Sequence, residues 1–135
     1  MLKQSITITT KGDGKFTLTE PQELNKLNPK ELLLYSTALC AGKTVTRLVE
    51  QKRVQYVKLE IKMSGVLDTE KLEGISKFAS FNIDYNVECK HLDDQPKISH
   101  AIQLATDKYC GGLAMLRKIA PVSHSISVVS IEVEA

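Results

Sequence analysis

One uninterrupted run, NPKELLLYSTALCAGKTVTRLVEQK from Asn28 to Lys52, limits what this chain can fold into more than any other stretch. Asn28 suits an N-cap, Pro29 suits the first helical position, and Glu31 stands three residues after the cap, where a capping box places its acid. No further proline occurs until Pro96, so the one weak point inside is Gly42, at about 1 kcal/mol against Ala. At 1.5 Å per residue the helix is about 36 Å long, the diameter of a small domain, and the remaining chain has to wrap it.

Two faces of this helix differ. Leu34, Ala38, Ala41, Val45 and Leu48 recur at three- and four-residue steps as an apolar stripe. Ser36, Cys40, Lys43, Thr44, Arg47 and Gln51 follow the same period on another face, while Leu32, Leu33, Tyr35 and Leu39 fill the flanks. The first half is apolar almost all round and is therefore expected to be buried on several sides. Cys40 stands where that half meets a polar, cationic second half.

A chain of 135 residues is expected to form a single domain spanning 1–135, large enough to bury about two-thirds of its unfolded surface. A net charge of +2, with no block of like charges, provides no basic footprint for nucleic acid. The opening MLKQSITITTKGDG lacks the apolar run of a signal peptide or a membrane span. Three cysteines without close spacing do not form a secreted disulfide framework, and a cytoplasmic location is expected.

The flanking chain alternates in strand fashion. Residues 2–10 and 15–20 read as a hairpin whose turn uses Gly12 and Gly14 for positive φ. Residues 54–63 place Val57, Leu59, Ile61 and Met63 on one face, and residues 65–74 read as a polar connection. Residues 78–89 place Phe81, Ile83, Tyr85, Val87 and Cys89 inward, and the two runs are expected to pair antiparallel. Pro96 opens a second helix with the stripe Ile98, Ile102, Ala105 and Tyr109. Cys110-Gly111-Gly112 breaks it, Leu113 to Ile119 forms a short third helix, and residues 122–133 form a last strand with a bulge between Val128 and Val129. This order predicts an α+β sheet with helices on one face.

Chemistry centres on the cysteines. Cys89 lies in a strand register and reads as a small core hydrophobe. Cys40 has two open readings: a packed small residue, or a thiolate stabilised by Lys43 at i+3, Thr44 at i+4 and Arg47 at i+7. Cys110 reads locally as a helix C-cap with a buried thiol, although the two following glycines let another atom approach closely. His91, His100 and His124 have no metal-ligand spacing and no CxxC companion, so no metal site is expected. Gly12 and Gly14 are too isolated for a nucleotide fingerprint.

Taken in order, Asn28-Pro29-Lys30-Glu31-Leu32-Leu33-Leu34, Cys40 in the same helix, Phe78-x-x-Phe81-x-Ile83-x-Tyr85-x-Val87, Lys108-Tyr109-Cys110 and Pro121-Val122-Ser123-His124-Ser125 resemble the OsmC/Ohr family. The segment MLRKIAPVSHSISVV after Cys110 is most similar to a divergent OsmC-like subgroup. The resemblance implies an antiparallel sheet wrapped around the Cys-bearing helix in an intertwined homodimer, with thiol sites at the subunit interface. It also implies a hydroperoxide reductase in which Cys40 is the peroxidatic thiolate and Cys110 the resolving thiol. An external dithiol restores both, and the chemistry needs no bound cofactor.

The family's peroxidases carry a glutamate ten residues before the first cysteine, where this chain has Lys30, with Glu31 beside it. Their arginine comes from the N-terminal strand region, which here contains Lys3, Lys11 and Lys15 instead. By helical spacing, Lys43 or Arg47 is the candidate replacement. Two other readings follow from these departures: a dimeric binder of a small hydrophobic ligand, or a redox sensor using the same thiol pair.

Overall fold

A computed structural model describes residues 3–68 and 75–131. Strand β1 (Lys3–Thr10) and strand β2 (Thr17–Glu20) form the hairpin, and helix α1 (Pro29–Gln51) follows. Strands β3 (Lys58–Leu67) and β4 (Phe78–Cys89) come next. Helix α2 (Gln95–Leu104) runs into a π-helical turn (Ala105–Tyr109), and helix α3 (Gly111–Arg117) and strand β5 (Val122–Ser130) complete the fold. The sheet order is β2-β1-β3-β4-β5.

The hairpin turn forms as its glycines require: Gly12 and Gly14 have φ of 89° and 75°. Between them Asp13 accepts hydrogen bonds from the Lys15 N–H and the Thr10 hydroxyl, at 3.0 and 3.1 Å, which holds its carboxyl below its usual range. At the start of α1, the Asn28 side chain accepts from the Glu31 N–H at 2.8 Å, and the Glu31 carboxylate accepts from the Asn28 N–H at 3.0 Å. The capping box is therefore complete.

Helix α1 lies on β1 and β3 and also touches α2 and α3. Four of the five stripe residues, Leu34, Ala38, Ala41 and Val45, are buried; Leu48 is only half-buried, and Val49 takes its place in the core. They meet Ile6, Ile8, Leu59, Ile61 and Met63 from the sheet, and the inward residues of β4 (Phe81, Ile83, Tyr85, Val87 and Cys89) extend the same core. Burying each such aliphatic side chain contributes roughly 1.5–3 kcal/mol.

Five expectations are corrected. Strand β3 begins at Lys58 and continues through Gly65 to Leu67, because Phe78 lays its ring over the strand where Gly65 has no side chain. The expected connection therefore starts later, and its residues 69–74 lie outside the described residues, as do residue 2 of the first strand and residues 132–133 of the last. The sheet is mixed: β3 and β4 pair antiparallel in the expected manner, but β5 runs parallel to β4 because two helices intervene. Strand β5 carries no bulge at Val128/Val129; its pairing runs unbroken from Phe81↔Val122 to Cys89↔Ser130, and Val129 faces outward.

Tyr109 is exposed, since the π turn carries it off the helix stripe. Finally, Leu32 and Leu33 are 42% and 40% exposed in the single chain, so only one side of the first half of α1 is covered by its own chain.

Gly42 also proves to be more than a weak point. A Cβ there would stand 2.5 Å from the Phe16 ring and 3.2 Å from Ile61 Cδ1. Helix propensity alone favours Gly42→Ala by about 1 kcal/mol. Overpacking costs about 1–3 kcal/mol and outweighs it. Urea denaturation of Gly42→Ala is expected to show a net loss of roughly 1 kcal/mol, recovered when Phe16→Leu is added.

Candidate functional site: a thiol pair between two helices

Seventy positions separate Cys40 from Cys110, yet their sulfurs stand 3.4 Å apart, with the Cys110 thiol donating to Cys40 Sγ. Each is placed by a different local device. Cys40 sits near the middle of α1, on the edge of its buried stripe, and is half-buried. Cys110 ends the π turn in an extended conformation and at once serves as N-cap of α3, its sulfur accepting the Leu113 N–H at 3.5 Å. It is buried, at 2% exposure.

Gly112 brings the backbone to Cys40. Its N–H donates to Cys40 Sγ at 3.4 Å, and a Cβ at that position would touch the Cys40 side chain and Thr37. Cys40 Sγ thus receives two donors, one thiol and one first-turn amide of α3. Amides at a helix start are suited to negative charge on a neighbouring sulfur.

The two thiols differ in character. Burial pushes the Cys110 thiol up to about 11. Cys110 therefore keeps its proton through neutral pH and faces Cys40 as a donor. Cys89 is also pushed up, first by burial and then by Asp94, and it donates to the His91 carbonyl at 3.4 Å, well outside this pair's hydrogen bonds.

Of the candidate thiolate-stabilising residues, the structure brings none to the sulfurs within one chain. Lys43 and Arg47 are exposed, and among the described residues neither makes an ion pair or hydrogen bond with Cys40 or Cys110. Thr44 lends its hydroxyl to the Cys40 carbonyl at 2.8 Å, not to the sulfur. The Glu31 carboxylate is engaged in the capping box, and Lys30 is half-buried in the same first turn, about 15 Å along the axis from Cys40. His100 Nδ1 meets Lys52 Nζ at 2.9 Å, and His124 is exposed on β5. Among the described residues no group of three or more His, Cys, Asp or Glu is placed to hold a metal ion.

Several contributors had no sequence signal. Thr106, fully buried, bridges the Tyr85 hydroxyl at 2.9 Å and the Ile102 carbonyl at 2.8 Å with its own hydroxyl. Arg117 donates to the Thr106 carbonyl. Burial pushes the Tyr85 phenol well above its usual range, against opposing help from Thr106 and the Arg117 charge. The Gly111-Gly112 pair hinted at close approach, and Gly112 fulfils that hint; a Cβ on Gly111 would meet nothing.

An α+β fold with a cysteine on its central helix and a second cysteine beside it at a helix junction defines a class of thiol proteins. The OsmC-like protein family profile matches residues 21–125, and the chain belongs to that family. Protein YhfA of Escherichia coli is 26% identical over 103 residues, covering 76% of this chain and 74% of its own. A hypothetical protein from Aquifex aeolicus superposes with a TM-score of 0.66 at 25% identity, over 98% of this chain and 99% of that one. An organic hydroperoxide resistance protein OsmC from Legionella pneumophila gives 0.59 at 15% identity, covering 94% and 98% of the two chains. No helix among the described residues is long and apolar enough to cross a membrane.

Exposure sets an order of reactivity. Limiting iodoacetamide at neutral pH is expected to label Cys40 before Cys110 or Cys89, as peptide mass mapping will read. A pH dependence follows as well. Folded Cys110 holds its proton to about 11, above the ordinary thiol range, so the unfolded state binds fewer protons between about pH 9 and 11. Its stabilising contribution is intact below pH 9 and is lost as pH rises through that window; Cys89 and Tyr85 act in the same direction. The decline in urea midpoint across this window is expected to be shallower in Cys110→Ala than in the native protein.

Proposed function

We propose that this protein is a thiol-dependent hydroperoxide reductase in which Cys40 attacks and Cys110 resolves. The observation that carries the reading is the 3.4 Å approach of the two sulfurs, with the proton held on the less accessible one. Membership of the OsmC-like family, and a structural neighbour described as an organic hydroperoxide resistance protein, support it.

In the first step the Cys40 thiolate attacks the terminal peroxide oxygen. The O–O bond breaks, an alcohol leaves after taking up a proton, and Cys40 becomes a sulfenic acid. The Gly112 amide, already directed at Cys40 Sγ, stabilises the charged sulfur before attack. In the second step the Cys110 sulfur attacks the sulfenic sulfur, the S–O bond breaks, and water is released with the Cys110 proton. The two sulfurs need to close by only about 1.4 Å to reach disulfide length. An external dithiol then reduces the bond, itself becoming a disulfide.

The working unit is a homodimer, in which a second copy covers Leu32 and Leu33 on the uncovered side of α1. Lys43 and Arg47 are the candidates to meet a thiolate across that interface, because among the described residues both are exposed and neither makes a side-chain hydrogen bond or ion pair.

Mass analysis after one equivalent of cumene hydroperoxide is expected to show loss of two hydrogens and a Cys40–Cys110 peptide link. Cys40→Ser abolishes peroxide consumption, whereas Cys110→Ser leaves a sulfenic acid on Cys40 that dimedone traps. Persistence of both free thiols under excess peroxide would overturn the proposal.

A further inference from the structure

The turn that delivers Cys110 is irregular in one specific way. In an α-helix the N–H of Cys110 would bond to the carbonyl four residues back, on Thr106. Here it bonds instead to the Ala105 carbonyl, five residues back, at 2.8 Å. The Thr106 carbonyl is thereby left without its helical donor, next to a residue that is fully buried. An unpaired carbonyl in such a place costs about 1–3 kcal/mol. Arg117, at the last position of α3, reaches back and donates its guanidinium Nη2 to that same carbonyl.

We infer that Arg117 is a positioning residue: by occupying the Thr106 carbonyl it holds the π register of residues 105–109, and that register places Cys110 Sγ against Cys40 Sγ. The register matters because one residue corresponds to about 100° of rotation on a helix. If Cys110 recovered its α-helical bond to Thr106, its side chain would leave the α1 side of the turn. The Cys110 N–H has one proton to donate, so the two registers compete for it, and the Thr106 carbonyl is the acceptor that decides between them. With Arg117 present the Thr106 carbonyl is already satisfied, so a return to the α register relieves no unpaired group. The turn is also anchored beneath by Thr106 on Tyr85, so loss of Arg117 changes the register without detaching the segment from the core.

The inference rests on Cys40 and Cys110 being the reacting pair of the proposed function, and diamide separates the two ideas. Diamide takes two electrons and two protons from two thiols, leaving a disulfide and a hydrazine, so it closes the pair without any peroxidase activity. The reduced full-length protein is treated with diamide, quenched with acid at intervals, and the Cys40–Cys110 peptide link is followed by mass analysis.

Arg117→Met is expected to close at least about tenfold more slowly than the native protein, the scale of loss that a misplaced reacting group brings. Arg117→Lys, whose ammonium can still donate to one carbonyl, is expected to close within about threefold of native. Iodoacetamide labelling of Cys89, buried on β4 outside the pair, stays at the native slow rate in both, which a general loosening of the fold would not allow. Should Arg117→Met fail to fold, Arg117→Gln, too short to reach the carbonyl, takes its place in the comparison.

Closure at the native rate without Arg117, or no recovery with Lys, would overturn the inference. So would a native protein that diamide fails to close. A native protein that closes with diamide but not with cumene hydroperoxide would sink the peroxidase reading alone, leaving Arg117 to be judged on the diamide rates.

Discussion

Enclosure of one face of α1 is the constraint on which the rest depends. Leu34, Ala38, Ala41 and Val45 have no route to water, since β1 and β3 close over them. Alanines at two of those four places let the helix approach the sheet closely, and Gly42 extends that approach to the Phe16 ring. A helix fixed this tightly cannot rotate, so Cys40 keeps its position at the border of the stripe. The chemistry is then a matter of what the chain brings to that border.

What it brings is an asymmetric pair. Both sulfurs are within contact distance, but one is buried and holds its proton while the other is partly open and receives hydrogen bonds. Two identical side chains are given unlike surroundings, and burial pushes the Cys110 thiol up. The supporting donors are backbone amides of the first turn of α3 rather than charged side chains. Among the described residues no cation performs that task, although Lys43 and Arg47 have the right helical spacing, because both are exposed.

Much of this was legible in the residues. The capping box at Asn28, the inward set of β4 and the glycine turn are local patterns whose physics is settled within a few positions, and each formed as its residues dictate. Family resemblance supplied the pairing of Cys40 with Cys110, which local sequence had left open. What failed was non-local. Nothing between Ser64 and Leu67 says that Phe78 will cover Gly65 and prolong the strand. Parallel pairing of β5 depends on the path of two intervening helices, and Tyr109 leaves its stripe because a single residue of π register intervenes. Thr44 points the same lesson: its spacing from Cys40 was right, but a hydroxyl four residues on finds the backbone carbonyl before it finds a side chain.

Cys110 has one further property that follows from its double duty as thiol and helix cap. The sulfur that would join a disulfide is the same atom that receives the Leu113 amide at the head of α3. Closing that bond would draw the sulfur towards Cys40, away from the Leu113 amide that it accepts. The opening turn of α3 would then register the oxidation state through its own backbone. Reduced and oxidised forms would differ in how firmly that short helix is tethered at its leading end, a mechanical signature carried by a single shared atom.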